Sequence, residues 1–546
     1  MAPAVLVAAL VAGGVLIYQV GRGTTFFYDE WNFILERRTG GLDAFLRPHG
    51  GHWSTVPVAV YRVLFALVGL RHYGAYRATL IGFHLACCVL LFMIARRRVG
   101  AMLALLPTIL LIFLGSAWQD LLWPFQIGYL GSIAAGLASL LALDARTRRG
   151  DLAAAAMLVL SLASSGLGVP FALAALLELL LLRGWRRLWA ALVPLLLFTA
   201  WYAAYGRGTT GAQLSNLVRV PSYLARSAIA ASAGLAGVSG RWQTLIAVAG
   251  LILIGLALVV GRRITPRLAM LVSMPLVFWG LAALTRGQLD EPAASRYLYP
   301  GAVFLMLITI EALRDVHLPA WAPVVAILLV PAVVANVHLL QNGAQGLLGV
   351  SASVRAELGA VQIARQTVRP DFRPDTQLMP QVSAGPYLAA VDALGSPADP
   401  VPRIRQDSPP TRALVDDVLR RADQLQLLAR TPAGSPADIS IDQATGVTIV
   451  PSGRCLLATA PATGAPVAIS VPAGQVSLGA VDVIAVVYIR RFADDYPDVP
   501  LGIIGPHVGE GPDTTQSIRL LPDSAPDRWH VEVVTRGSVV ICASRP

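Results

Sequence analysis

The chain has 546 residues, of which 55% are hydrophobic and only 14% are charged, and its mean hydropathy is +0.62. This composition excludes a soluble protein of ordinary kind and indicates a polytopic membrane protein. The formal net charge of +11 comes from arginines that cluster between apolar runs, as topology signals do. Because the sequence has no nucleic-acid-binding motif and no basic patch interleaved with aromatic residues, we expect no nucleic-acid partner.

The first apolar run, APAVLVAALVAGGVLIYQV, has no basic segment before it and no clear small-residue cleavage site. It is therefore predicted to remain as the first membrane helix and not to be cleaved as a signal peptide. Later apolar runs have about the 20 residues needed to cross a ~30 Å hydrocarbon core. Together the runs predict about eleven spans, near 3–20, 75–95, 99–116, 125–143, 152–167, 168–182, 188–205, 243–260, 268–284, 297–313 and 320–339.

Arginine clusters occur in alternate connections between these predicted spans. By the positive-inside rule, such connections face the cytoplasm. The first loop, the loops near 117–124, 206–242 and 285–296, and the C-terminal portion should then be extracytoplasmic, in a multi-pass protein of the plasma membrane. The clusters are Arg96–Arg97–Arg98, Arg146/Arg148/Arg149, Arg183/Arg186/Arg187 and Arg262/Arg263/Arg267.

The long first outer loop, residues 22–74, contains the segment TVPVAVYRVLFALVGL with Arg62 in its middle. An arginine at the centre of the bilayer is costly. The segment is therefore predicted to be an interfacial amphipathic helix and not a span.

The composition becomes polar and proline-rich after about residue 340. We predict a membrane domain over 1–340, an extracytoplasmic helical and loop-rich connector over 341–437, and a β-sandwich or jelly-roll-like domain over 438–546. The last rests on short runs such as VDVIAVVYIRR, whose apolar residues alternate between turn signals. Cys455 and Cys542 lie near its two ends, where a disulfide is favoured over two free buried thiols because the compartment is oxidising.

An acidic pair, Asp29–Glu30, follows the first predicted helix in the stretch FFYDEWNFILERR, residues 26–38. Hydrated acids beside a helix end are common, so one interpretation is purely structural. The other is chemical, since partial burial among aromatic rings raises the pKa of a carboxylate and suits it to take a proton from a hydroxyl group.

A second stretch, SRYLYPGAVFLML at 295–307, lies where a late outer loop enters its next helix. The acidic pair, the long first outer loop, this element and the outer C-terminal domain together resemble the C-type (GT-C) membrane glycosyltransferases of bacteria, and the arginine-only basic composition suggests a high-GC, actinobacterial source. The resemblance implies transfer of a sugar from a polyprenyl-phosphate carrier, with Asp29 as catalytic base beside Glu30. It also places Arg296 against the lipid phosphate, next to Tyr297.

One element departs from that family, because RPHGGHWSTVP stands where many members have a His-Pro-Pro type element. His49 and His52 are therefore candidates either for contact with substrate or for simple solvation. Their spacing provides no third metal ligand, so we expect no metal or other cofactor, although a divalent cation is compatible with the chemistry.

Further substrate-binding candidates are aromatic and acidic. Trp118 and Asp120, in SAWQDLLWPFQIGY, suit the face of a sugar or equally an interfacial aromatic belt, and Trp31 adjoins the acidic pair. Asp290–Glu291 is predicted to be a solvated turn. Three more arginines are secondary candidates for the lipid phosphate: Arg22, Arg77 and Arg286.

The sequence therefore favours an inverting glycosyltransferase that binds membrane lipid, a polyprenyl-phosphate sugar donor and a cell-envelope glycan or lipid acceptor. The sequence has no Walker loop, Rossmann fingerprint or Cys-x-x-Cys, which argues against nucleotide-driven and redox functions. Two alternatives remain open: a transporter or flippase of lipid-linked glycans, and a non-enzymatic scaffold of the envelope.

Overall fold

The structure, a computed structural model, describes residues 1–206, 211–238, 240–260, 265–314, 322–428, 437–453, 455–505 and 516–544. The chain divides into two compact units. The first comprises residues 1–24 and 32–348, and the second comprises residues 25–31 and 349–546. Arg262 and Arg263, which belong to one predicted cytoplasmic cluster, lie outside the described residues.

Helices make up almost all of the first unit. Local signals set several of their ends: the side chains of Thr147 and Thr265 accept the backbone N–H groups of Gly150 and Leu268 at two helix starts. The helices are α1 (Ala2–Val20), α2 (Glu30–Glu36), α3 (Asp43–Leu46), α4 (Thr55–Val68), α5 (Tyr73–Val99), α6 (Ala101–Ile112), α7 (Trp118–Leu122), α8 (Ile127–Asp144), α9 (Arg148–Leu162), α10 (Gly168–Leu181), α11 (Trp189–Trp201), α12 (Val220–Ala236), α13 (Gln243–Val260), α14 (Pro266–Arg286), α15 (Ser295–Ala312) and α16 (Ala322–Ile363).

Six helical segments within the described residues are long and apolar enough to cross a membrane. The other five predicted spans also coincide with helices, but these do not combine the required length and apolar character over their described residues. The chain is thus a membrane protein with a helical first unit, and the count of eleven spans stays a prediction. The six segments are Ala2–Val20, Tyr73–Val99, Ala101–Leu122, Pro124–Asp144, Trp189–Gly206 and Pro266–Leu289.

Charged side chains from several helices meet at one end of the first unit. Arg267, at the start of α14, contacts Glu178 of α10 at 2.8 Å and Asp144 of α8 at 3.5 Å. Arg98, at the end of α5, contacts Asp144 and Glu311 of α15, both at 3.3 Å. Because these residues come from the four predicted cytoplasmic connections or the helix ends beside them, the network aligns those connections at a single end, here called the arginine-cluster end.

Helix α12 corrects the prediction that 206–242 is only a loop. Its buried face consists mainly of alanine, serine and glycine, and so lacks the strongly apolar signature of a span. The Arg219 guanidinium, just before the helix, donates to the Gly287 carbonyl (3.0 Å). At the other end of α12, the Gly234 carbonyl accepts from the hydroxyl of Ser116 and the amide of Asn336. Gly287 and Ser116 both lie away from the arginine-cluster end, so α12 lies across the opposite end of the unit.

A helix, α4, is present where the sequence predicts an interfacial one around Arg62. The Arg62 guanidinium donates to the carbonyl oxygens of Arg37, Thr39 and Gly40 at 2.8–3.0 Å, and lies over the ring of Phe45 at 4.2 Å. These partners hold the guanidinium within the protein, so Arg62 fixes the course of the loop before α4.

Within its described residues, the second unit contains the end of α16, three further helices and two antiparallel sheets. Each sheet has five strands among the described residues, in the orders β1-β4-β9-β6-β7 and β2-β3-β10-β5-β8. The elements are α17 (Ala384–Leu394), α18 (Val401–Ile404), α19 (Pro409–Ala422), β1 (Ser440–Gln443), β2 (Thr448–Ser452), β3 (Cys455–Thr459), β4 (Ala465–Val471), β5 (Gly474–Ala480), β6 (Ala485–Arg490), β7 (Gly502–Ile504), β8 (Gln516–Leu520), β9 (Trp529–Thr535) and β10 (Ser538–Ser544).

Alternation along the strands explains the sheets. In β9, fully buried residues such as Val531 and Val533 alternate with partly exposed ones, as the period of two in a half-buried strand requires. Cys455 of β3 and Cys542 of β10 form a disulfide across neighbouring antiparallel strands, with their Cα atoms 4.4 Å apart. The bridge closes a sequence separation of 87 residues.

Replacing both bridged cysteines, as in Cys455→Ser/Cys542→Ser, should destabilise the second unit by about 2 to 5 kcal/mol, because the open chain gains conformational freedom when unfolded. Calorimetric unfolding of the full chain in detergent would show a lower transition temperature for the β sheets. Reductant should shift wild type toward the variant and leave the variant unchanged. If the variant melts like the wild type, the bridge contributes nothing to stability.

Candidate functional site

A tight turn builds the first part of the candidate site. His49 and His52 face each other as an antiparallel pair, with backbone N–H to carbonyl distances of 3.0 and 2.9 Å. The two residues between them, Gly50 and Gly51, have φ values of +55° and +83°. Only glycine adopts such values readily, so the sequence HGGH specifies a two-residue hairpin turn.

The turn directs the His52 side chain against Gly166 and Arg286, which also belong to the first unit. Its ring packs on the bare backbone of Gly166, where an added Cβ would lie 2.7 Å from Nδ1. Its Nε2 lies 3.5 Å from a guanidinium nitrogen of Arg286. Burial, followed by the charges of Arg286 and protonated His49, lowers the pKa of His52 to about 3. His52 is therefore neutral at physiological pH, and its Nε2 can accept from the arginine.

Arg286 is the centre of a polar cluster. Its guanidinium also donates to the hydroxyl of Tyr297 (3.1 Å), so His52 and Tyr297 hold it from two sides. These three residues and Tyr129 line a cavity of about 310 Å³. The rest of the lining is mostly apolar and includes Leu167, Val169, Pro170, Phe198, Phe278 and Leu281.

The cavity reaches the outer surface of two candidate spans. Tyr202, after α11, and Leu281, in α14, both line it, and their side chains are 42% and 40% exposed. Exposed apolar positions on such spans contact lipid in a membrane. The cavity therefore offers an apolar ligand a lateral route toward Arg286.

Arg296, the predicted phosphate ligand, lies beside this cluster. Its guanidinium forms an ion pair with Glu291 (2.9 Å) and lies 5.1 Å from the centre of the Tyr297 ring. Its backbone N–H donates to the Gln119 side chain (3.2 Å). Arg296 is absent from the cavity lining, so the structure places Arg286, a secondary candidate from the sequence, in the position of direct access.

Asp120 and Trp118 have separate surroundings although they are close in sequence. The Asp120 side chain is completely buried, and neither carboxylate oxygen has a hydrogen-bond partner among the described residues. Arg296 supplies a compensating charge. Trp118 instead packs closely on Gly343 and lines a different cavity of about 420 Å³. The structure thus associates Asp120, but not Trp118, with Arg296 beside the polar cluster of Arg286.

The acidic pair belongs to the second unit. Tyr28, with φ of +50°, donates its N–H to the Leu378 carbonyl (2.9 Å) and so shapes the chain before the pair. Asp29 is half-buried. Glu30 is completely buried, begins α2, and accepts the N–H of Phe27 (3.3 Å). This bond fixes the turn that precedes α2, and an acidic residue in the first turn of a helix is favoured by the helix dipole.

Trp31 is also completely buried in the second unit. Its ring packs against Phe26 and, edge-on, against Tyr387, with centroid distances of 6.2 and 5.8 Å. The predicted contact of Trp31 with substrate therefore has no exposed ring face to support it. Packing explains this residue.

His49 has a structural role beside its turn partner. Its ring packs on Phe33 and Phe125, with centroid distances of 5.2 and 5.3 Å. Burial and the charge of Arg37 lower the pKa of His49 to about 4. Among the described residues, no group of three or more His, Cys, Asp or Glu side chains is arranged to hold a metal ion.

Tyr129 was not predicted from the sequence, where nothing in its spacing marks it.

Comparisons with known proteins add little to this geometry. No family model matches the sequence, and no curated protein does. Among solved structures, the crystal structure of ArnT from Cupriavidus metallidurans in the apo state is similar, with a TM-score of 0.45 and 17% sequence identity, over 68% of this chain and 82% of that chain. Agreement at this level supports no inference about the site, whose own geometry must supply one.

The lowered pKa of His52 predicts acid sensitivity. Unfolded His52 gains a proton near pH 6.5, whereas the folded side chain stays neutral to about pH 3, so its contribution to stability falls as pH decreases between these values. Between pH 7 and pH 5, the wild type should therefore lose about 1 kcal/mol more unfolding free energy than His52→Gln does. Thermal unfolding at both pH values measures this effect, and the exposed His72→Gln is the control. Equal acid sensitivity in the two variants would contradict the assignment.

Proposed function

We propose that the protein is an inverting membrane glycosyltransferase that takes its sugar from a polyprenyl-phosphate carrier. The observation that carries the proposal is the cavity in which Arg286, held by His52 and Tyr297, meets apolar walls that reach the lipid-facing surface. A polyprenyl phosphate combines the same two chemistries, an apolar chain and an anionic head.

The arginine suits the leaving phosphate. A guanidinium is planar and permanently charged, and it can give two parallel hydrogen bonds to phosphate oxygens. His52 supports this role because its neutral ring accepts from Arg286 and adds no repelling charge. Arg296, next to Tyr297, adds positive potential to the cluster, and Asp120 balances part of it.

The proposed reaction needs a base for the acceptor. The acceptor hydroxyl of a cell-envelope glycan or lipid loses its proton to Asp29, and its oxygen forms a bond to the anomeric carbon of the sugar. The bond from that carbon to the phosphate oxygen breaks, and the electron pair leaves with the polyprenyl phosphate. Of the acidic pair, Asp29 suits the role better, because it is half-buried whereas Glu30 is completely buried.

We further propose that this chemistry takes place on the extracytoplasmic side. The positive-inside rule places the arginine-cluster end in the cytoplasm and therefore the Arg286 cavity toward the exterior. The disulfide of the second unit suits an oxidising compartment. The two five-stranded sheets support the β-sandwich interpretation of the C-terminal region, with inward-facing alternate residues such as those of β9.

Binding of polyprenyl phosphate tests the cavity directly. Arg286→Gln should weaken binding of undecaprenyl phosphate to the purified chain by about tenfold or more, because a charge-assisted bidentate contact is lost. Arg286→Lys keeps the positive charge but loses the bidentate geometry of the guanidinium, so its affinity should lie between those of the wild type and Arg286→Gln. Arg226→Gln is the matched control, since Arg226 pairs with Asp290 in a half-exposed salt bridge and does not line the cavity. Unchanged affinity in Arg286→Gln would refute the phosphate assignment.

Transfer tests the base separately. Asp29→Asn should retain undecaprenyl phosphate binding but reduce the rate of sugar transfer by about 100-fold or more, because the amide cannot accept the hydroxyl proton. The assay uses membranes that contain labelled polyprenyl-phosphate sugars and follows label into envelope glycan. Wild-type transfer by a folded Asp29→Asn would exclude this base. Movement of the labelled lipid between leaflets without transfer by the wild type would favour a flippase, and neither activity would favour a scaffold.

A further inference from the structure

A third cavity, of about 420 Å³ and distinct from the one beside Trp118, lies at the arginine-cluster end of the first unit. Five arginines and two carboxylates line it, so its net charge is positive. The site is separate from the Arg286 cavity, and nothing in the proposed transfer reaction uses it. The arginines are Arg97, Arg98, Arg146, Arg267 and Arg314.

One donor at this cavity is buried without a partner. The Arg267 side chain is only 8% exposed; its Nη1 donates to Glu178 (2.8 Å), but its Nη2 is buried and has no hydrogen-bond partner in the described part of the chain. An unsatisfied buried donor on a charged group carries a substantial free-energy cost. A ligand oxygen in the cavity would remove that cost.

The carboxylates nearby are already shared. Arg98 contacts Asp144 and Glu311, and Arg314 contacts Glu311 at 3.7 Å. Within the described residues, Arg97 and Arg146 form no ion pair, and both side chains are exposed at the cavity. Among the described residues, the five arginines of the cavity outnumber the three carboxylates that contact them, so a net positive charge remains.

The depth of the cavity indicates the source of an anionic ligand. Its residues stand at the ends of candidate spans: α5 ends just after Arg98, α8 ends at Asp144, and α14 begins just before Arg267. The ends of spans lie at the level of lipid headgroups. Leu182 also lines the cavity and is 44% exposed, which adds an apolar surface for an acyl chain.

We propose that this cavity binds the phosphate of an anionic membrane lipid. Arg267 Nη2 donates to a phosphate oxygen from within, Arg97 and Arg146 supply charge at the rim, and the acyl chains lie along the surface that begins at Leu182. Basic pockets between membrane helices on the cytoplasmic side are suited to such headgroups. Because the network of Arg267 with Glu178 and Asp144 joins α8, α10 and α14, the bound lipid stabilises this end of the helical unit.

The test measures binding of dioctanoyl phosphatidylglycerol to the full chain in neutral detergent by native mass spectrometry. Arg97→Gln/Arg146→Gln should lose about tenfold or more in affinity, because two charge-assisted contacts are weakened. Arg148→Gln/Arg149→Gln is the matched control: it removes the same charge at the same end from two exposed residues outside the cavity lining. Neither variant removes a partner of a buried carboxylate, so both should fold.

Three outcomes would overturn the proposal. Equal losses in the two double variants would indicate a diffuse attraction to a basic surface. Equal binding of dioctanoyl phosphatidylcholine, whose phosphate is balanced by a choline cation, would show that the site does not select for anionic lipids. Inorganic phosphate that binds as tightly as phosphatidylglycerol would identify free phosphate as the ligand in place of lipid. Support requires preference for phosphatidylglycerol together with a loss confined to Arg97→Gln/Arg146→Gln.

Discussion

The architecture of the first unit depends on how buried charge is compensated among apolar helices. A charged side chain in a membrane protein must find a partner within the protein or reach water. Arg267, Glu178 and Asp144 meet this requirement together and thereby join the start of one helix to the ends of two others. Removal of Arg267 would leave the buried carboxylate of Glu178 without its ion-pair partner, which is far more destabilising than loss of a surface pair. The network thus fixes the relative heights of α8, α10 and α14.

Once these heights are fixed, α14 runs away from the network and ends at Arg286. The loop beyond it returns at Ser295, and α15 therefore presents Tyr297 close to the end of α14. The HGGH turn approaches from a different part of the chain and completes the cluster through His52. A polar centre among apolar walls is in this way a consequence of helix alignment. The two glycines of the turn provide the positive φ values that other residue types rarely adopt.

The sequence predicts the features that depend on local pattern. Apolar runs of sufficient length located the helices, and Arg62 predicts that α4 is interfacial and not a span, because a charge has a large and regular cost in lipid. The strands followed from alternation of the kind seen in β9. Helix α12 was missed because its alanines, serines and glycines, which pack well against neighbouring helices, are weakly apolar on any transfer scale. Close packing of small residues is a property of pairs of helices, and one helix sequence does not reveal it.

The candidate site was less accessible from the sequence for the same reason. The relative importance of Arg286 and Arg296 depends on which guanidinium reaches the cavity, and that follows from the start of α15 and from the pairing of Arg296 with Glu291. A resemblance in the RYLYP element selects Arg296 because that arginine is part of the motif. The structure selects Arg286 because two partners already orient its guanidinium. Of these criteria, orientation is the closer to function, because an anion gains most from donors that are held in place before it arrives.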